Sequence, residues 1–332
     1  MSYPIDVCLT ADVEFCINGS LTFPESRSPA GSIHVYRYAD GKSEGLEAML
    51  APLTEFNLPA TFFVEVLQQH YFGSVPMAEI VTRLRSLPGN DIQMHLHPCW
   101  RYFKNPDWRE TVKTTPRNDS MAGRGDEAEE IIKEGAELFQ HLIGQWPIAL
   151  RTGGLHLDRR VLQAQEKLGI PLSSSVGIGV YLPPDRSLFL FGGVAHFGSV
   201  SELPVLSYYL PTIGGKRTRL FSLTGTSFRL AREILLWASK VGLSPVVILT
   251  HAHEFADEIG SPSGLTYRAN RTNQQNWRQL CDFLAASPDK FKVTTFQEIH
   301  QKGLPSANVE APAFMAGISE YARRAWSLIA RR

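Results

Sequence analysis

The chain has 332 residues, 43% apolar and 20% charged, with 33 basic and 33 acidic side chains that cancel. That balance argues against a general nucleic-acid binder, which carries a basic excess. The apolar share fits a globular enzyme, and a chain of this length buries roughly three-quarters of its unfolded surface without help from disulfides or a structural metal. Cys8, Cys16, Cys99 and Cys281 form no C-x-x-C pair and no secreted disulfide framework. Residues 1–10 run into a strand without a basic n-region or an apolar h-region, and no apolar run approaches the ~18 residues of a membrane span. The expected location is therefore the cytoplasm.

In chain order, Ile5–Thr10 reads as a buried strand, followed by a long Gly/Ser/Pro-rich loop from Phe15 to Ser43. Gly45–Phe56 has helical spacing, Ala60–Val64 is a second strand, Ala78–Leu87 a helix and Ile92–His95 a third strand. A second long loop spans residues 98–125. Asp126 is the expected N-cap of a helix to Ile143, with Glu127, Glu129 and Glu130 in its first turn. Ile148–Arg151 is a short strand, Asp158 caps a helix through Leu168, and another strand precedes Ser173–Val176. From Val180 to Leu223 short β-like runs (Leu188–Phe191, Leu203–Leu210) alternate with turns. Ser227–Val241 is helical, Val246–Thr250 a strand, Asn273–Ala286 a helix, Phe291–Thr294 a last strand and Phe296–Gln301 a final helical turn or two.

Strands that read as continuous apolar runs, alternating with helices, predict α/β architecture: a parallel sheet covered on both faces or closed into a (β/α) barrel. Residues 1–304 make up this domain. Residues 305–332 are expected to be a linker and a C-terminal basic amphipathic helix. Its stripe is Phe314, Ile318, Tyr321, Ala325, Leu328 and Ile329, with Arg323, Arg324, Arg331 and Arg332 largely off it. Packing on the domain or a partner is the favoured reading of that helix; peripheral contact with an anionic membrane surface is the other.

Three polar pairs spaced i, i+2 follow strand-like runs: Asp12 and Glu14, His95 and His97, His251 and His253. Along a strand, i and i+2 side chains point to one face. In parallel α/β folds the carboxyl ends of strands carry the active site, and Arg151 falls at such an end as well. One carboxylate with two imidazoles is a common set for a catalytic divalent cation with an open position for water. A second carboxylate can accept the proton of that water, and a histidine from another strand can protonate the leaving group.

These motifs carry a resemblance. Leu9-Thr10-Ala11-Asp12-Val13-Glu14, Ala60-Thr61-Phe62-Phe63, His95, Arg151-Thr-Gly-Gly154 and Leu249-Thr250-His251 occur in this order, together with Glu202-Leu203-Pro204 and Thr294-Thr295-Phe296-Gln297-Glu298. From Val7 to Ile299 the chain resembles the polysaccharide deacetylases of NodB-homology type, a carbohydrate esterase family with a distorted (β/α) barrel. The resemblance implies Asp12 as general base, Arg151 orienting it, His251 as general acid, and a metal, Zn2+ by preference, on Glu14, His95 and one further ligand. The family's H-x-x-x-H spacing would put that ligand at Cys99; His97 is taken here, with Cys99 the alternative. The family's aspartate partner for the acid histidine has no counterpart in Ser173-Ser-Ser175, which leaves Glu254 or a backbone carbonyl to orient His251.

The implied reaction is hydrolysis of an N-acetyl or related acyl group on a sugar. Metal and a backbone N–H hold the oxyanion, and Trp100, Tyr102, Phe103 and His253 contact the sugar. The carbohydrate could be linked to a nucleotide or lipid carrier. The rival readings are a small-amide or formamide hydrolase on this fold and a metal-free carbohydrate-binding domain.

Overall fold

The computed structural model describes residues 3–115, 117–260, 265–304 and 313–317. Its central sheet runs in the order Val246–His251, Ile5–Val13, Thr61–Glu65, Asp91–Leu96, Ala149–Thr152, Leu172–Ser173, Val200–Glu202, Ala195–Phe197. Phe291–Val293 pairs with the start of Ile5–Val13. All of these pairings are parallel except the last hairpin, Ala195–Phe197 with Val200–Glu202.

The ring closes through irregular backbone. Val205 N donates to Val176 O at 2.9 Å, and Leu206 N donates to Val247 O at 3.0 Å. The stretch after Val200–Glu202 thus bridges the two sheet edges, which explains the Glu202-Leu203-Pro204 word: the segment must pair on both sides without being a regular strand. This is the distorted (β/α) barrel expected from the sequence.

Alternation along each strand sorts the residues. Val7, Leu9 and Ala11, Ile92, Met94 and Leu96, and Val246 and Ile248 belong to the larger apolar cluster with the surrounding helices. Cys8, Phe63, Ala149, Leu172, Val247 and Leu249 belong to a second, smaller cluster inside the barrel. Strands buried on both faces read as unbroken apolar runs for this reason. The interior parity that includes Cys8, Phe63, Ala149 and Leu249 also carries Asp12, Glu65, His95, Arg151 and His251 one or two steps further on. The helix Phe296–Lys302 plugs the opposite mouth: Phe296 N donates to Thr61 Oγ1 at 3.0 Å, Gln297 N to Asp91 Oδ2 at 3.0 Å, and the Phe296 ring meets Phe63 edge-on at 5.2 Å.

The covering helices begin where short polar side chains satisfy free N–H groups. Asp158 accepts from Val161 N at 3.0 Å, Asn270 from Asn273 N at 3.0 Å, and Thr295 from Glu298 N at 3.2 Å. Asp126 precedes Glu127–Ile143 as expected but makes no side-chain cap; its backbone is already helical. Both long loops hold more structure than expected. The first contains the helix Ser32–Tyr36 and a hairpin of Tyr38–Ala39 with Lys42–Ser43; the second contains the 3-10 helix Pro98–Lys104 and the helix Trp108–Thr114. Leu188–Phe191 is not a strand: Asp185 accepts from Ser187 N and starts a 3-10 turn, Arg186–Leu188, that uses the backbone groups a sheet would need. Of the C-terminal helix, only 313–317 are described, and Phe314–Met315 is a short strand beside Tyr208–Tyr209; the rest of 305–332 lies outside the described residues. Among the described residues no helix is long and apolar enough to cross a membrane.

Candidate active site

Strand register decides which polar ends meet. Asp12 pairs with His251 on one side of Ile5–Val13, and His95 lies between Glu65 and Arg151. Glu14, one residue past its strand, folds over this rim. Glu14 Oε2 is 3.2 Å from His95 Nε2 and 2.8 Å from His97 Nε2. One donor atom from each of Glu14, His95 and His97 lies within 4.8 Å of the others. His97 follows its strand in extended backbone, so its ring comes to the same side as that of His95, 4.9 Å away.

The tautomers follow from the partners. His95 Nδ1 is 2.9 Å from the Arg151 carbonyl, which only accepts, so Nδ1 carries the hydrogen and Nε2 is turned to Glu14. Burial opposes the charge on Glu14, but the two imidazoles hold its carboxyl well below the usual range. A carboxylate facing two inward imidazole Nε2 atoms is a donor set that fits a divalent cation, Zn2+ among them.

Asp12 is buried beside this set. Its Oδ1 accepts from Arg151 Nη1 at 2.7 Å, and its Oδ2 is 3.9 Å from His95 Nε2 and 3.7 Å from His251 Nε2. Burial raises the cost of its charge, but Arg151, His95 and His251 outweigh that and lower its pKa. Arg151 is itself 0% exposed. Its Nε and Nη2 donate to Ser174 O and Oγ at 3.0 and 2.9 Å, and its guanidinium lies 4.0 Å over the Phe63 ring. Glu202 Oε1 fixes the segment that carries Ser174 by accepting from Ser175 N and Val176 N at 2.9 Å each. Within the serine triplet, Ser174 therefore serves the arginine.

No family model and no curated sequence matches the chain. Among solved structures, a Mycobacterium smegmatis protein assigned as a polysaccharide deacetylase superposes with TM-score 0.51 at 15% identity, over 95% of this chain and 96% of that one. The Puue allantoinase superposes at TM-score 0.48 and 10% identity over 90% of each chain. Peptidoglycan deacetylase PdaC from Bacillus subtilis does so at TM-score 0.40 and 12% identity, over 90% and 91%. The chain has the NodB-type deacetylase fold.

Within the NodB-type fold, His251 stands opposite Arg151 across Asp12. Its Nδ1 is 3.3 Å from Glu254 Oε1, and Glu254 is held in turn by Thr250 Oγ1 at 2.9 Å and Thr224 Oγ1 at 3.0 Å. Of the two orienting groups considered from the sequence, Glu254 is the one in place. Burial disfavours charge on His251, but Glu254 and Asp12 raise its pKa to about 9.

His253 stacks between His251 and His34 with ring centroids 4.9 Å from each. Burial, then neighbouring cations, push His253 down to about 4 and His34 to about 3, so both rings are neutral at pH 7. A pocket of about 270 Å³ opens here, lined by Glu14, Cys16, His34, His97, Asp119 and His253 among others.

The aromatic platform differs from expectation. Trp100 is 1% and Phe103 5% exposed, packed on each other at 5.3 Å and against Phe72, Tyr71 and Trp108. They anchor the loop, because a 3-10 turn starting at Pro98 folds them inward; Tyr102 is only half-buried. Cys99 does not group with Glu14 and His95. Its thiol is buried and hydrogen-bonded to Asp119, which keeps its pKa well above the usual value.

Asp119 and His34 had no signal of their own in the sequence. Both stand in long loops, where only the folded path reveals that they reach the site.

Proposed function

We propose that the protein is a metal-dependent hydrolase that removes an N-acetyl or related acyl group from a sugar. The observation that carries this reading is the convergence of Glu14, His95 and His97 beside an Arg151-held Asp12 that faces His251. Glu14, His95 and His97 would hold the ion, Zn2+ by donor chemistry. When bound, it would supply Lewis acidity toward the acyl oxygen and lower the pKa of water to roughly 7.

The chain's own groups do the remaining work. Asp12, kept ionised by Arg151, accepts the proton of the attacking water at its free Oδ2. Arg151 prevents that carboxylate from turning away. His251, kept protonated by Glu254, donates to the departing amine nitrogen as the C–N bond breaks. His34 and His253, both neutral, offer hydrogen bonds along the pocket wall to the sugar hydroxyls. A carrier-linked sugar inside the cell is the substrate form that fits the cytoplasmic expectation.

The small pocket and the covered Trp100 and Phe103 favour a second reading, hydrolysis of a small amide or formamide. A screen of Zn2+-loaded protein against acetylated sugar oligomers, carrier-linked sugars and small amides separates the two. Acetate release from sugars that is lost in Asp12→Asn supports the first. Turnover of small amides alone supports the second, and no turnover with no bound metal would leave a carbohydrate-binding domain.

A further inference from the structure

The outer side of His97 carries a second relationship that the hydrolase reading does not use. Asp119 Oδ2 is 2.6 Å from His97 Nδ1, on the ring edge away from Glu14. Asp119 Oδ1 accepts from Cys99 N at 3.0 Å, and the Cys99 thiol bonds to the same carboxylate. Gly153 flanks the imidazole: a methyl group added there would fall 2.4 Å from His97 Nδ1.

We propose that Asp119 is a positioning residue that fixes His97 as a metal ligand, and that Cys99 serves to hold Asp119. The inference rests on the metal-site reading above. With an ion held between Nε2 and Glu14, the hydrogen of His97 sits on Nδ1, and the Asp119 carboxylate is placed to accept it. His95 reaches the same state by donating Nδ1–H to the Arg151 carbonyl. The two imidazoles are therefore matched in tautomer by different means: one partner comes from the neighbouring strand, the other from a loop 22 residues further along the chain. His97 lies beyond the last strand residue, and here a loop side chain does what the neighbouring-strand carbonyl does for His95. His97, Cys99 and Asp119 also lie close enough to suggest a second cation site. The 2.6 Å contact has the length of a charge-assisted hydrogen bond, and both Asp119 oxygens are already engaged, which favours positioning.

The test is calorimetric titration of the full chain with Zn2+, together with the visible spectrum of the Co2+ form. Wild type is expected to bind one ion. Asp119→Asn should bind it about 10–100-fold more weakly and alter the Co2+ band, while Asp119→Glu recovers part of the affinity and Cys99→Ser, which keeps a donor, loses less. Thermal melts of the metal-free forms show whether the folded state is intact; a purely structural role would lower those melts and leave the affinity of the folded fraction alone. Unchanged affinity and spectrum in Asp119→Asn would overturn the proposal. So would two ions in wild type and one in Asp119→Asn, which would make Asp119 a ligand. Wild type that takes neither Zn2+ nor Co2+ would instead remove the metal-site reading itself, and this inference with it.

Discussion

Arg151 reaches across the barrel interior to Asp12, Nη1 to Oδ1 at 2.7 Å, although the two residues lie 139 positions apart. The contact is buried on both sides, and Ser174 takes up the remaining guanidinium edge. A buried charge pair of this kind does little for stability as a whole but is costly to break on one side.

Asp12→Asn should lower kcat roughly 10²–10⁴-fold, since the amide cannot accept the water's proton, while Zn2+ affinity changes little. Arg151→Met should cost about 3–5 kcal/mol in urea unfolding, because Asp12 would stay buried without the guanidinium that binds its Oδ1. Full turnover by Asp12→Asn with its metal retained would rule out the assigned base.

The proposed acid, His251, should set the alkaline limb. Burial disfavours charged His251, but Glu254 and Asp12 raise its pKa to about 9 from an unfolded value near 6.5. A raised histidine adds stability that is fully present below about pH 6.5 and is lost as pH rises through about 9. Activity should fall over the same upper range. Glu254→Gln should move the limb of kcat against pH downward. An unmoved limb would mean that another group donates the proton.

Gly153 offers a test of ligand geometry that leaves every ligand in place. A Cβ there would fall 2.4 Å from His97 Nδ1 and 2.5 Å from Cε1, so Gly153→Ala should displace the ring. The expected result is weaker Zn2+ binding and reduced kcat, with Asp12 and His251 untouched. Retained affinity in a crystal structure with His97 unmoved would contradict it.

Metal should also be visible in stability. An ion at 100 times its Kd adds about 2.7 kcal/mol to a state that alone binds it. Thermal melts of wild type should rise with added Zn2+ and fall back with a chelator. Glu14→Gln, which removes the charged donor, should show neither response. An equal Zn2+ shift in both proteins would place the ion elsewhere.

Much of the site was readable in the sequence because it obeys strand parity. Asp12, His95, Arg151 and His251 each end an apolar run, and the parity of each run points them inward. Glu14 and His97 extend that pattern by i+2. Gly153 was readable as part of the Arg151-Thr-Gly-Gly154 motif, whereas its packing against His97 was not. The aromatic loop shows the reverse case: Trp100, Tyr102 and Phe103 have the composition of a sugar platform, yet a 3-10 turn after Pro98 folds Trp100 and Phe103 into the core. Composition says what a loop offers, and the backbone path decides which way it faces.

The choice between His97 and Cys99 marks the same division. Periodicity alone determined that the chain builds two-sided parallel strands with polar residues at their carboxyl ends, since side-chain alternation is a property of each strand by itself. Only the tertiary structure turned the His97 ring to Glu14 and gave Cys99 to Asp119. Those contacts depend on where the 98–125 loop returns over the barrel rim, and that path is set by long-range packing which no local spacing encodes.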